Sequence, residues 1–423
     1  MSIVLVQKQK AILIMQKTPK GLRLHIGIFG RRNVGKSSLL NALTRQTVSI
    51  VSDVAGTTTD PVEKPMELLP IGPVVFIDTA GVDDAGILGE MRTARTKKIF
   101  DRTDLAIIVT TGNGWSSFEE ELLKEFTDRN VPVVIVFNKV DIESPGDDLI
   151  QKLTNEKYAV VQTVAVKAQG LFDLREAIIK QTPQEIINSP AIISDLIQPG
   201  DLVILVVPID KEAPKGRLIL PQVQTIRDIL DSDASCMVVK ERELRDAFQK
   251  LNSKPAIVVT DSQAFLKVAA DTPNDVLMTS FSILFARVKG NLSEFVRGAM
   301  VIDELKPGDN VLIAESCTHH PITDDIGTVK IPRWLTQYVG GKIKFSHSQG
   351  HDFPDDLEKY KLIIHCGSCM FNRREVLSRI MHAKRAGVQI TNYGLTIAYT
   401  LGIFERALSP FPGVLNMYRE LKK

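Results

Sequence analysis

The stretch GIFGRRNVGKSSLLNAL, residues 27–43, decides the fold of the first third of this chain. Gly30 to Ser37 fits the pattern G-x-x-x-x-G-K-S/T. The apolar run RLHIGIFG before it reads as a strand, and Lys36–Thr44 after it reads as a helix, which is the context this motif requires. Glycines such as Gly30 and Gly35 let backbone N–H groups curl around phosphates, helped by the positive end of the helix that opens at Lys36, Ser37 and Ser38. Lys36 is expected to reach the β- and γ-phosphates and Ser37 to ligate Mg²⁺. A glycine-rich turn arising by chance would not need a strand on one side and a helix on the other.

Three further pieces complete a nucleotide site. DTAG, residues 78–81, ends a predicted buried strand, so Asp78 brings a carboxylate to the metal and Gly81 a flexible N–H to the γ-phosphate. VAGTTTD supplies Thr58, a second hydroxyl for Mg²⁺. NKVD, residues 138–141, ends another strand; Asn138 and Lys139 shape the base pocket, and Asp141 can accept from both N1–H and the 2-amino group of guanine. Adenine offers neither donor and would leave a carboxylate unpaired, a penalty large enough to set specificity. AVK, ending at Lys167, is a weaker match to the loop that backs the base. The ligands are therefore GTP or GDP with Mg²⁺.

Around these motifs, residues from about Leu22 to Gln184 alternate β-rich runs (PVVFIDTAG, LAIIVTTG, VPVVIVFNK, AVVQTVAV) with helical stretches, including Phe118–Arg129 and Leu171–Lys180. This is the grammar of an α/β domain with a mostly parallel sheet. QTPQEIINSP is a polar, proline-bounded linker. From Ala191 to about Gly290 a small α/β layer follows, with strands in DLVILVVPI, SCMVVK, PAIVVT and DVLMT and no phosphate loop. The last segment offers strands NVLIAES, KYKLIIH and GVQITN. The expected organisation is an N-terminal arm (1–20), a P-loop GTPase domain (21–186), a dimerisation domain (191–290) and a metal-cluster domain (298–423). No repeat of solenoid period is present.

Composition excludes several classes. With 52 basic and 50 acidic residues, the net charge of +2 offers no broad field for nucleic acid. No apolar run approaches a membrane span, and the N-terminal MSIVLVQKQKAILIMQK, interrupted by Lys8 and Lys10, lacks the apolar core of a signal peptide. Cysteine is scarce, with only 4 in the chain, which suits a reducing cytoplasm and a metal or redox site rather than a disulfide framework. Cys236 lies among strand residues and reads as a small buried hydrophobe.

The other three cysteines form the pattern C-x-H…H-C-x-x-C: Cys317 and His319 in ESCTHHP, His365, Cys366 and Cys369 in IIHCGSC. Cys317 and Cys366 each follow a predicted strand, so both should emerge at the carboxyl edge of a sheet, where ligands gather in open α/β folds. Residue types leave the metal open. Three Cys with one His make a structural zinc set, and three Cys with an exchangeable fourth position suit a [4Fe–4S] cluster. His319 and His365 are the neighbouring candidates for that fourth position.

In order and spacing the GTP motifs resemble the group containing Era and the tRNA-modification GTPase MnmE. Val82 stands where Ras-like proteins place a water-orienting glutamine, and Asn33 stands where MnmE-like proteins help hold K⁺. That resemblance implies slow, K⁺-stimulated hydrolysis in which Lys36, Thr58, Asn33 and Gly81 take part. From about Thr18 onward, the GTPase motifs together with APKGRLILPQVQTIRDIL and CTHHP…DDIGTVKIPRW…HCGSC closely resemble the [FeFe]-hydrogenase maturation GTPases, HydF. That family implies a homodimer carrying a [4Fe–4S] cluster on Cys317, Cys366 and Cys369. It further implies a scaffold that receives a diiron precursor from the radical-SAM maturases HydE and HydG and delivers it to apo-[FeFe]-hydrogenase. The rival reading is an Era- or MnmE-like GTPase that associates with RNA or the ribosome and carries a structural zinc; no basic RNA-binding module favours it.

Overall fold

The structure is a computed structural model that describes residues 20–44, 62–79, 98–183, 191–208, 218–316 and 325–423. The sequence expectations placed on Thr58, Gly81, Val82, Cys317 and His319, and on the arm up to residue 19, lie outside the described residues. The chain forms two compact units, Met1–Ser189 and Pro190–Lys423. Among the described residues no helix is long and apolar enough to cross a membrane.

The first unit runs β1 (Leu24–Phe29), α1 (Lys36–Thr44), β2 (Val62–Leu68), β3 (Gly72–Asp78), β4 (Leu105–Thr110), α2 (Ser117–Asp128), β5 (Val133–Asn138), α3 (Asp147–Asn155), β6 (Ala159–Thr163) and α4 (Leu171–Gln181). Its sheet has the order β2-β3-β1-β4-β5-β6. All neighbours are parallel except β2, which pairs antiparallel with β3. Strands β1, β4 and β5 are buried along their whole length because helices cover both faces. Successive side chains alternate between those faces. Ile26, Ile28, Val74 and Phe76 meet Leu39, Leu40 and Leu43 of α1 on one side. Phe29, Val75 and Ile77 meet Leu122 and Phe126 of α2 on the other. Strand β2 escaped the sequence reading because it is a charged edge: Glu63 pairs with Arg102 at 2.8 Å, and the buried Lys64 donates to Asn41 Oδ1 at 2.7 Å.

In the second unit come β7 (Leu202–Val206), α5 (Leu220–Asp231), β8 (Ser235–Val239), α6 (Leu244–Lys250), β9 (Ile257–Thr260), α7 (Phe265–Asp271), β10 (Leu277–Ser280), α8 (Phe281–Lys289) and α9 (Leu292–Met300). They are followed by β11 (Asn310–Glu315), α10 (Ile331–Val339), β12 (Lys344–Gln349), β13 (Leu362–His365), α11 (Arg373–Arg385), β14 (Gln389–Asn392), α12 (Tyr393–Thr400), α13 (Phe404–Ala407) and α14 (Pro412–Leu421). The strands make two four-stranded sheets, ordered β10-β9-β7-β8 and β12-β11-β13-β14. Every pairing is parallel.

Counted from its own first strand, each sheet has the order 2-1-3-4, so the second unit contains the same topology twice. Local detail repeats as well. Pro199-Gly200-Asp201 and Pro307-Gly308-Asp309 precede the two first strands. Gly200 and Gly308 have φ of 86° and 97°, the left-handed turn that favours glycine. In both turns the aspartate accepts a backbone bond of 2.8 Å, from Gln198 N or Lys306 N. After the two last strands, Thr279-Ser280-Phe281 and Thr391-Asn392-Tyr393 start helices capped by Ser280 and Asn392.

The two halves exchange helices. Helix α9, which follows the first half, packs on β14 of the second; Gly298 lies where a Cβ would overlap the Ile390 carbonyl, and Thr391 Oγ1 donates to Phe295 O at 2.8 Å. Helix α13, which follows the second half, packs against β10, where Arg406 donates to Thr272 O and Pro273 O, both at 2.8 Å. One continuous apolar core therefore runs from Ile193 to Tyr418. The expected boundary at 298 falls inside α9, a helix committed to the sheet of the last segment.

Candidate functional site

In the first unit, the loop between β1 and α1 is held in the shape its glycines allow. Gly30 and Gly35 have φ of 141° and 98°, and a Cβ on Gly35 would overlap Asn138 Nδ2. Asn33 takes the left-handed region at φ 62° and is exposed. The buried ammonium of Lys36 donates to Gly30 O at 2.8 Å and Arg31 O at 2.7 Å, which places its charge inside the loop. Ser37 Oγ donates to Asp78 Oδ2 at 2.7 Å. Asp78 is 8% exposed, and its other carboxylate oxygen is buried with no hydrogen-bond partner among the described residues. Burial pushes its carboxyl pKa up, against the opposing pull of Ser37, Lys36 and Lys64. A hydroxyl beside an unsatisfied buried carboxylate oxygen is a donor set that fits Mg²⁺.

The base side is assembled around Asn138, which is 1% exposed. Its Nδ2 donates to Val34 O at 2.9 Å, and its Oδ1 accepts from Thr163 Oγ1 and Ala165 N, each at 3.1 Å. One side chain thus ties the phosphate loop to the loop after β6. Lys139 adds a second tie, donating to Asn33 O at 2.7 Å. Asp141 pairs with Lys167 at 2.7 Å, and that hydrogen bond holds its carboxyl below the usual range. Asp78, Asn138 and Lys139 therefore gather on the loop between β1 and α1, Asp141 pairs with Lys167, and Ser38 continues the first turn of α1. Sequence spacing had no signal for Thr163, for Lys64, or for Arg31, whose guanidinium reaches Glu119 and Ser116 at the start of α2.

In the second unit, Cys366 and Cys369 sit at the carboxyl edge beyond β13. Strands β11 and β13 are neighbours whose connections depart in opposite directions, which is the switch point where open α/β sheets hold ligands. Cys366 Sγ accepts from Ser316 N at 3.1 Å and Ser368 N at 3.4 Å. Burial pushes its thiol pKa up, and these donors oppose the shift. The Cys369 thiol is also pushed up, by burial and then by Cys366, while Lys289 pulls it down. Backbone N–H groups aimed at sulfur are what a metal–thiolate centre uses to spread its charge. Among the described residues, no three Cys, His, Asp or Glu side chains converge on one point; Cys317, the expected third thiol, lies outside them.

His365 has another role from the one its spacing suggests. Fully buried, its Nε2 faces the Arg379 guanidinium at 3.0 Å, and arginine only donates. Nδ1 therefore carries the proton and faces Ser368 Oγ at 3.0 Å and Cys366 O at 3.1 Å. Burial, with Arg379 beside it, pushes the imidazole pKa down to about 3. Both ring nitrogens are committed, so His365 braces the cysteine turn rather than offering a free ligand nitrogen. Arg379 is itself held by Gly350 O at 2.6 Å and lies between the rings of Phe353 and Phe371.

Comparison with known proteins adds identity to this geometry. Residues 25–139 match the family model of the 50S ribosome-binding GTPase. Residues 192–290 match the hydrogen maturase F dimerization domain, and residues 293–410 match the hydrogen maturase F tetramerization domain. The chain belongs to the hydrogen maturase F family. Its P-loop GTPase domain is followed by two segments that match oligomerisation domains of that family. The sequence reading assigned assembly to the middle segment alone; the hydrogen maturase F models name oligomerisation in both. The tRNA modification GTPase MnmE of Picosynechococcus sp. is 35% identical over 178 residues, 40% of this chain and 38% of that protein. GTPase Der of Wolinella succinogenes is 36% identical over 183 residues, 41% of this chain and 38% of its own. This chain thus spans under two fifths of the length of these curated relatives. Among solved structures, the G domain of the T. maritima FeoB iron transporter is 25% identical, with TM-score 0.31, over 38% of this chain and 99% of that one. A variant of Aquifex aeolicus Era bound to GDP and AlF4⁻ is 22% identical, with TM-score 0.34, over 58% and 97%.

Proposed function

We propose that this hydrogen maturase F chain is a GTP-hydrolysing scaffold that holds a [4Fe–4S] cluster on Cys317, Cys366 and Cys369. In this role it takes part in assembling the diiron subcluster and delivering it to apo-[FeFe]-hydrogenase. Its partners are the radical-SAM maturases HydE and HydG and the apo-hydrogenase, and its setting is the cytoplasm. The observation that carries the reading is Cys366, whose sulfur accepts two backbone N–H groups at the switch point of a parallel sheet, with Cys369 in the same turn. The three thiolates would hold the cluster and leave it an exchangeable position, which would make the centre useful to a carrier.

In the GTPase unit, Lys36 supplies positive charge to the phosphates, Ser37 and Asp78 hold Mg²⁺, and Asn138 and Asp141 hold guanine. Thr58, Gly81 and Asn33 complete the hydrolytic set, Asn33 through a K⁺ ion. Nucleotide state biases the binding of partners. Anaerobic reconstitution, reduction with dithionite and EPR test the cluster assignment. The wild type is expected to show a cluster signal, and Cys317→Ser, Cys366→Ser and Cys369→Ser are each expected to lose it. A colourless, zinc-loaded protein that takes up no iron would refute the assignment.

A further inference from the structure

Lys289 ends α8, inside the segment that matches the dimerization domain, yet its ammonium lies in the cysteine turn of the other half. It is 3% exposed and donates to Phe371 O at 2.5 Å, two residues beyond Cys369. The seating is reciprocal: Arg373, at the start of α11, donates to Val288 O and, at 3.3 Å, to Gly290 O. The other end of α8 reaches the same region. Ser282 accepts from Asn392 Nδ2 at 3.0 Å and from Gly394 N at 3.1 Å, and it is the side chain nearest to where a Cβ on Gly367 would stand. Helix α8 therefore forms one wall of the thiol site.

A buried lysine is costly unless something nearby needs its charge. Among the described residues the buried carboxylates of Glu315 and Asp325 lie by Tyr393 and Cys366, and Glu315 accepts from Tyr393 OH at 2.9 Å. The thiolates of Cys366 and Cys369 around a divalent metal or a cluster would add more. The duplicated half supports the same view. The register that aligns Val203 with Val311 and Ile257 with Leu362 places Asp261 opposite Cys366. Asp261 accepts from Gln222 Nε2 at 2.9 Å, and the position matching Lys289 by the alignment of Phe281 with Tyr393 is the uncharged Leu401. The half with the cysteines is the one that receives the buried ammonium.

We propose that Lys289 is a positioning residue of the thiol site, a fixed positive charge donated by the dimerization segment that retains an anionic metal–thiolate centre on Cys366 and Cys369. This rests on the reading of those cysteines as metal ligands. Co(II) is the probe, followed by its thiolate-to-metal absorption in the full-length protein under anaerobic conditions. Lys289→Met removes the charge, and Lys289→Gln removes the charge but keeps an N–H donor for Phe371 O. Both are expected to bind Co(II) about tenfold or more weaker than wild type, the range in which partners beyond the direct ligands act. Circular dichroism and GDP binding should be unchanged. Wild-type affinity in folded Lys289→Met and Lys289→Gln overturns the proposal. Wild-type affinity in Lys289→Gln alone also overturns it, because the hydrogen bond and not the charge would then matter. Absence of Co(II)–thiolate absorption in the wild type instead overturns the underlying metal assignment. Pulsed EPR of the reduced cluster in wild-type protein carrying ¹⁵N-lysine decides the matter if the variants do not fold: a weakly coupled lysine nitrogen supports the proposal, and its absence refutes it.

Discussion

Replacing Asn138 with alanine tests the proposition that one buried amide holds the two halves of the nucleotide site in register. The substitution removes the donor to Val34 O and the acceptor for Thr163 Oγ1 and Ala165 N. The Thr163 hydroxyl can rotate to another partner, but Val34 O and Ala165 N are backbone groups in residues only 6% exposed. Each buried group left without a partner costs about 1–3 kcal/mol, so the loss is about 2–6 kcal/mol, reduced toward the lower end if water enters the space. A domain of this size shifts by about 2–4 °C per kcal/mol, so the GTPase unit should melt at least roughly 4 °C lower. A chain of two compact units does not unfold as one two-state transition. Calorimetry of the full chain with and without GDP identifies the transition that belongs to the GTPase unit, because GDP raises only that one. Fluorescent GDP binding should weaken at least tenfold, since the ligand must then restore the loop arrangement itself. An unshifted transition together with unchanged GDP affinity would refute the argument.

Asp141→Asn should move preference from guanine toward xanthine nucleotides, because an acceptor of the 2-amino group becomes a donor to a carbonyl; unchanged preference in competition binding of GTP, XTP and ATP would remove Asp141 from the base site. Gly298→Ala should destabilise the second unit by about 1–3 kcal/mol despite the better helix propensity of alanine, since the new Cβ overlaps the Ile390 carbonyl; a raised melting temperature would show that α9 is not seated on β14. Arg379→Met keeps apolar contact with Phe353 and Phe371, loses the cation–π contacts, and leaves His365 Nε2 buried without the Arg379 donor. Reconstituted iron should fall and the EPR line shape should change, whereas wild-type iron content and spectrum would mean that the cysteine turn does not depend on His365.

The elements legible in the sequence are those whose chemistry is local. The strands β1, β3, β4 and β5 show as apolar runs because both of their faces are covered, and a run of buried residues needs no partner to be recognised. By contrast, β2 and β12 were missed because edge strands expose side chains: β2 carries Glu63 and Lys64, and β12 is largely exposed along Lys344–Gln349. Helix α3 escaped because a short, charged helix leaves only Leu153 buried as a signal.

By itself the sequence determined a P-loop GTPase domain, because Gly30, Gly35 and Lys36, Asp78, and Asn138 with Asp141 each meet a requirement of phosphate, metal or guanine chemistry within a few residues. It also singled out Cys366 and Cys369, since two thiols across a tight turn are a local pattern. Packing across the chain decided that the last two segments are one intertwined unit built twice on the same strand order, that His365 is a brace, and that Lys289 reaches the cysteine turn at Phe371 from the other half of that unit. Those facts depend on which buried donor finds which buried acceptor across long stretches of chain. Hydrogen bonds and burial of that kind are settled by packing, and packing leaves no spacing rule in the sequence.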